Sequence, residues 1–84
     1  MIHAQMPERP QLFFHVRDMT SGVSAGIVMN ALKALDDRAT VRIDIPMRRV
    51  EIEPTNSEPS AYRDAMNRAG YASIRQWPSE FAYL

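Results

Sequence analysis

Apolar and polar residues alternate from Gln11 to Arg17, with Leu12, Phe14 and Val16 on one side and Phe13, His15 and Arg17 on the other. This is the period-2 pattern of a half-buried strand. After Asp18-Met19-Thr20-Ser21-Gly22, the residues Val23, Ile27, Val28, Ala31, Leu32 and Leu35 fall at helical spacing, with Lys33, Asp36 and Asp37 off that stripe. The spacing predicts an amphipathic helix ending near Asp36. Ala39, Val41, Ile43 and Ile45 then alternate with Thr40, Arg42 and Asp44, and Val50, Glu51, Ile52 and Glu53 alternate again beyond Pro46-Met47-Arg48-Arg49. Two such runs around a short turn read as a hairpin. Ser57 or Asn56 is the expected cap of a second helix, with Glu58 and Pro59 in its first turn and Ala61, Tyr62, Ala65, Met66 and Ala69 facing inward. Gly70 supplies a left-handed exit. Ala72 to Trp77 reads as a fourth strand with Ile74 inward, ended by Pro78.

The order strand, helix, strand, strand, helix, strand is the split βαβ arrangement. The expected fold is therefore α+β, a ferredoxin-like βαββαβ sandwich in which two helices cover one face of a four-stranded antiparallel sheet. The other face is left to His15, Arg17, Arg42, Asp44, Glu51 and Glu53, a mixed-sign set suited to cross-strand pairing in water. Residues 1–10, with Pro7, Arg9 and Pro10 and no periodicity, read as a mobile lead-in. The domain spans 11–77, and 78–84 form an aromatic tail.

Composition narrows the classes of function. An 84-residue chain has room for one domain and one modest core. Ten basic residues balance ten acidic ones, which removes any net attraction to nucleic acid or anionic lipid. There is no apolar run near the ~20 residues of a spanning helix and no signal-peptide core in residues 1–10, so the expected location is the cytoplasm, without membrane insertion. With no cysteine, neither a disulfide framework, a thiolate metal site nor a cysteine nucleophile is available, and six methionines are the only sulfur ligands.

From Leu12 to Ile74 the chain resembles the heavy-metal-associated domain, the small fold of copper chaperones and of the amino-terminal modules of metal-pumping ATPases. Met19 and the loop spacing match the family's Met-X-Cys-X-X-Cys turn, Val28, Ala31, Leu32 and Leu35 match its helix, and Ala69-Gly70-Tyr71 matches its closing turn. The resemblance implies metal transport, a copper or other heavy-metal ion as cargo, and docking onto a metal transporter or a like domain. It also makes Ser21 and Ser24 the two ligand positions, with Met19, Thr20, Gly22 and Tyr71 as loop neighbours. Serine stands at both ligand positions. A hydroxyl stays protonated near neutral pH and is a hard, weak ligand, so the pair cannot reproduce a linear two-thiolate Cu(I) site. Ser21 reads instead as a helix N-cap. Met19, which the family turns into the core, reads as packing, and Tyr71 as a cap on the apolar core with its hydroxyl in water.

His3 behind a free amino terminus has the spacing for square-planar Cu(II) or Ni(II), set against chance in a three-residue motif. Met6, Met29 and Met47 are scattered and form no spacing motif. A serine nucleophile lacks a nearby histidine, since His15 should point off the far sheet face, so no enzyme is expected. Base stacking on the open sheet by Phe13 is opposed by Glu51 and Glu53. The expected role is binding: a heavy-metal-associated domain without its thiols acting as a docking or accessory protein, or a metal-independent interaction or regulatory module. Trp77, Phe81, Tyr83 and Leu84 suggest self-association through the tail, or its return along the sheet edge.

Overall fold

The alternation that begins at Leu12 becomes the first strand of a four-stranded sheet in a computed structural model that describes residues 11–55 and 57–76. The elements follow the predicted order: β1 (Leu12–His15), α1 (Gly22–Leu35), β2 (Thr40–Asp44), β3 (Arg49–Glu53), α2 (Pro59–Arg68) and β4 (Ile74–Gln76). The strands lie in the order β2-β3-β1-β4, and every neighbouring pair is antiparallel. The expected ferredoxin-like α+β sandwich is thus the observed fold. His3, Met6, Asn56, Trp77, Phe81, Tyr83 and Leu84, and the expectations placed on them, lie outside the described residues.

One face of the sheet meets the helices. Leu12 and Phe14 from β1, Val16 just beyond it, Val50 and Ile52 from β3, Val28 and Leu32 from α1, and Tyr62 and Met66 from α2 are all buried. Each such side chain contributes about 1.5–3 kcal/mol of transfer free energy, which is what orders a chain of this size. Met19 is fully buried among them, so its place is in the core. On the open face Phe13 and His15 alternate outward, Arg42 bridges Glu51 at 3.4 Å and Glu53 at 3.5 Å, and the Arg49 guanidinium lies 5.2 Å from the centre of the Phe13 ring. Arg17 pairs with Asp18 at 3.6 Å instead of joining that cluster.

Three expectations are corrected. Val23 and Ile27 point outward, 77 % and 41 % exposed, while Ser24 and Ala25 take the inward places. The inward stripe is set by Val28 and Leu32, and the positions three and four residues before Val28 are Ala25 and Ser24. Ile74, 69 % exposed, also points away from the helices. Phe14 pairs with Arg75, which puts Ile74 beside His15 on the open face. A one-residue difference in register exchanges the two faces, and Tyr71 covers that margin of the core instead. Finally, α2 starts at a Glu58 cap that makes no side-chain bond, not at Ser57 or Asn56, and Pro59 opens the helix. Proline needs no amide partner there.

Candidate functional site

The β1–α1 loop sits at one end of the sheet because antiparallel pairing brings the β2–β3 turn and the start of β4 to the same end. The Val16 amide donates to the Arg48 carbonyl at 2.8 Å, the Met19 amide to the Val16 carbonyl at 3.1 Å, and the Arg48 guanidinium to the Arg17 carbonyl at 3.2 Å. Arg48 adopts φ 55° to make that turn. Buried Met19 pins the loop from below, leaving Thr20, Ser21 and Gly22 exposed at its crest.

Ser21 is the N-cap of α1 in extended backbone, and Ser24 closes the box from the third helical position. The Ser24 amide donates to the Ser21 Oγ at 3.3 Å, and the Ser21 amide donates to the Ser24 Oγ at 3.0 Å. The Ser24 hydroxyl donates to the Ser21 carbonyl at 3.0 Å, and the two hydroxyl oxygens stand 3.3 Å apart. This is a reciprocal capping box with serine where a glutamate is usual, satisfying amides that the first turn otherwise leaves orphaned. Ser24 is buried, and its oxygen is spent inside the box. The donor set is two neutral hydroxyls committed to each other and to backbone, which does not fit a soft heavy-metal cation; among the described residues no three His, Asp, Glu or Cys side chains converge to hold a metal.

Tyr71 reaches the same end through the exit of α2. The Gly70 amide donates to the Asn67 carbonyl at 2.9 Å and the Tyr71 amide to the Met66 carbonyl at 2.9 Å, with Gly70 at φ 97°. This paired closure is the Schellman motif, whose residue after the glycine packs against the preceding turn. Tyr71 accordingly lies half-buried against the core.

A second polar cluster escaped the sequence reading. Asp36, read there as lying off the inward stripe, is buried as the C-cap of α1. Its carboxylate accepts from the Thr55 hydroxyl at 2.6 Å, from the Thr55 amide at 3.1 Å and from the Tyr62 hydroxyl. Burial pushes the Asp36 carboxyl up, but the Thr55 and Tyr62 hydroxyls with the Thr55 and Arg38 amides outweigh it and hold the group well below the usual carboxylate range. Burial first, and then the neighbouring Asp36, raise the Tyr62 phenol. The available signal was a carboxylate at a helix C-terminus, where the macrodipole favours a cation and an anion needs dedicated donors.

No protein-family model matches the sequence, and neither does any curated protein. Solved structures do. A gold binding protein is 34 % identical, with a TM-score of 0.74 over 77 % of this chain and 98 % of that one. The copper chaperone Atx1 from Synechocystis PCC6803 is 29 % identical, with a TM-score of 0.68 over 77 % of this chain and 98 % of its own. Oxidized MerP from Ralstonia metallidurans CH34 shares the fold at 17 % identity, with a TM-score of 0.73 over 81 % of this chain and 97 % of its own. The sandwich runs through almost the whole length of a relative one-third identical, and on that ground the chain belongs to the heavy-metal-associated domain family.

Proposed function

We propose that this chain is a metal-transport-related heavy-metal-associated domain that works by docking or as an accessory to a metal transporter or like domain, and not by carrying an ion between two thiolates. The observation that carries the reading is the capping box: at the family's ligand positions, Ser21 and Ser24 close on each other and on the first turn of α1. Protonated hydroxyl oxygen supplies neither the charge nor the softness that holds Cu(I). The similarity to a gold binding protein and a copper chaperone supports the link to metal handling. Binding without catalysis is supported by the same network, in which the partners of both hydroxyls are each other and backbone atoms, with no imidazole to act as base. We place the domain in the cytoplasm; no helix among the described residues is long and apolar enough to cross a membrane.

The test is anaerobic competition for Cu(I) against a chromophoric chelator, run on the native chain and on a Ser21→Cys/Ser24→Cys variant. The native chain should leave the chelator loaded, and the variant should withdraw copper stoichiometrically. Tight withdrawal by the native chain overturns the reading. For the docking half, affinity purification that returns neither a metal transporter nor a like domain counts against it.

A further inference from the structure

Helix α1 is unusual in carrying almost no charge on any side. Over its 14 residues Lys33 is the sole charged side chain. That ammonium is held at the helix end by the Asp37 carbonyl at 3.0 Å and the Ala39 carbonyl at 2.6 Å. The solvent face is formed by Val23, Ile27, Asn30 and Ala34, four and three residues apart on one line of the helix, with Val23 77 % and Ile27 41 % exposed. This line continues sideways into a groove of about 420 Å³ between the helices, lined by Ala31, Ala34, Leu35, Ala65, Arg68 and Ala69. A helix apolar all round is a buried helix in most settings. Gly26 agrees with this, since a Cβ placed there meets nothing within 4 Å among the described residues, which leaves room for another backbone.

We infer that a second copy of this chain covers the face, two α1 helices packing antiparallel about a two-fold axis that passes between Ile27 and Asn30. In that arrangement Val23 meets Ala34 of the partner subunit and Ile27 meets Asn30 of the partner subunit, so large residues face small or short ones. Charge selects the second copy over other occupants. The loop end of the molecule carries Arg17, Arg48, Arg49 and Arg68 against Asp18 and Asp44; the opposite end carries Asp36, Asp37, Glu53 and Glu58 against Lys33 and Arg38. The described residues are therefore polarised along α1, and antiparallel packing sets each basic end beside the other's acidic end. A helix of this length is about 21 Å long and about 10 Å across, so each α1 face contributes on the order of 200 Å². A standard interface takes ~800 Å² per partner, so the dimer is weak and transient. The inference stands apart from the reading of Ser21 and Ser24 and also from the tail.

Sedimentation equilibrium of the full chain, from about 10 µM to about 1 mM at low salt, tests it. The expected result is reversible dimerisation that weakens several-fold when salt is raised from about 50 to about 500 mM. Ile27→Glu should weaken association at least about tenfold by placing a carboxylate on the apolar seam, with thermal melting at low concentration unchanged. Val23→Lys should act in the same direction as an independent check on the same helix line. Removing residues 79–84 should leave association intact. A chain that stays monomeric at about 1 mM overturns the inference. So does a dimer indifferent to Ile27→Glu and Val23→Lys, a dimer lost with residues 79–84, or a face that binds phosphatidylglycerol vesicles and not its own copy.

Discussion

Replacing Tyr62 by phenylalanine removes one hydroxyl and leaves a ring that still fills its fully buried site. What is lost is the phenol's bond to the Asp36 carboxylate. A hydrogen bond to a charged group contributes about 1.5–3 kcal/mol net. Asp36 keeps both bonds from Thr55, at 2.6 and 3.1 Å, so the carboxylate is not orphaned and the cost belongs in the middle of that range, about 2 kcal/mol. In a domain of this size 1 kcal/mol moves the melting midpoint by about 4–8 °C, so Tyr62→Phe should melt roughly 8–16 °C below the native chain at pH 7. Urea unfolding should place the same loss in the midpoint with an unchanged slope.

The pH dependence fixes the partner. Asp36 titrates below its unfolded value of ~3.9, so its contribution is present above about pH 4 and is lost as pH falls through the folded pKa. Tyr62→Phe raises that folded pKa by removing a donor, so the gap between variant and native chain should narrow below about pH 4. In a double-mutant cycle, Thr55→Val should couple with Tyr62→Phe by more than about 0.5 kcal/mol, because both donors share one carboxylate. A variant within ~0.5 kcal/mol of the native chain at pH 7, or a gap independent of pH, refutes the reasoning.

Three further outcomes are expected. Ser21→Ala and Ser24→Ala should each cost about 1 kcal/mol in chemical denaturation, and the double variant should cost less than their sum because each serine caps through the other. Gly26→Ala should raise the stability of the dilute monomer by up to about 1 kcal/mol, since the added methyl meets nothing and glycine is a poor helix former; the same change should weaken association at high concentration. Above about pH 10 the native chain should lose stability, because the buried Tyr62 phenol titrates above its unfolded value and stability falls as pH rises through that interval.

The order of elements and the open face were legible because period-2 alternation is unambiguous wherever one side of a strand is polar. Arg42, Glu51 and Glu53 mark the solvent side of the hairpin as clearly as Val50 and Ile52 mark the core. Phase fails where polarity is missing. In α1 the series Val23, Ile27, Ala31 and the series Ala25, Val28, Leu32 are both apolar, and no charge separates them, so spacing alone assigns some residues to the wrong side. The fourth strand is short, with Ile74 and Arg75 adjacent, and its register depends on where the Gly70-Tyr71 turn delivers the chain. Asp36 was hidden for another reason: its partners Thr55 and Tyr62 lie far along the chain, and a buried carboxylate looks like a surface one until its donors are placed.

These failures of phase carry physical content. A helix that gives no polar signal has no side preferred by water, and the outward Val23 and Ile27 show what remains after the chain's own core has taken its share of α1. The serine pair presents the converse case. The thiols of the family turn need the unfilled amides at the start of the helix to stabilise negative sulfur. Here the hydroxyls of Ser21 and Ser24 consume those amides themselves, at 3.3 and 3.0 Å. Two residues at the family's ligand positions instead make the helix start self-sufficient.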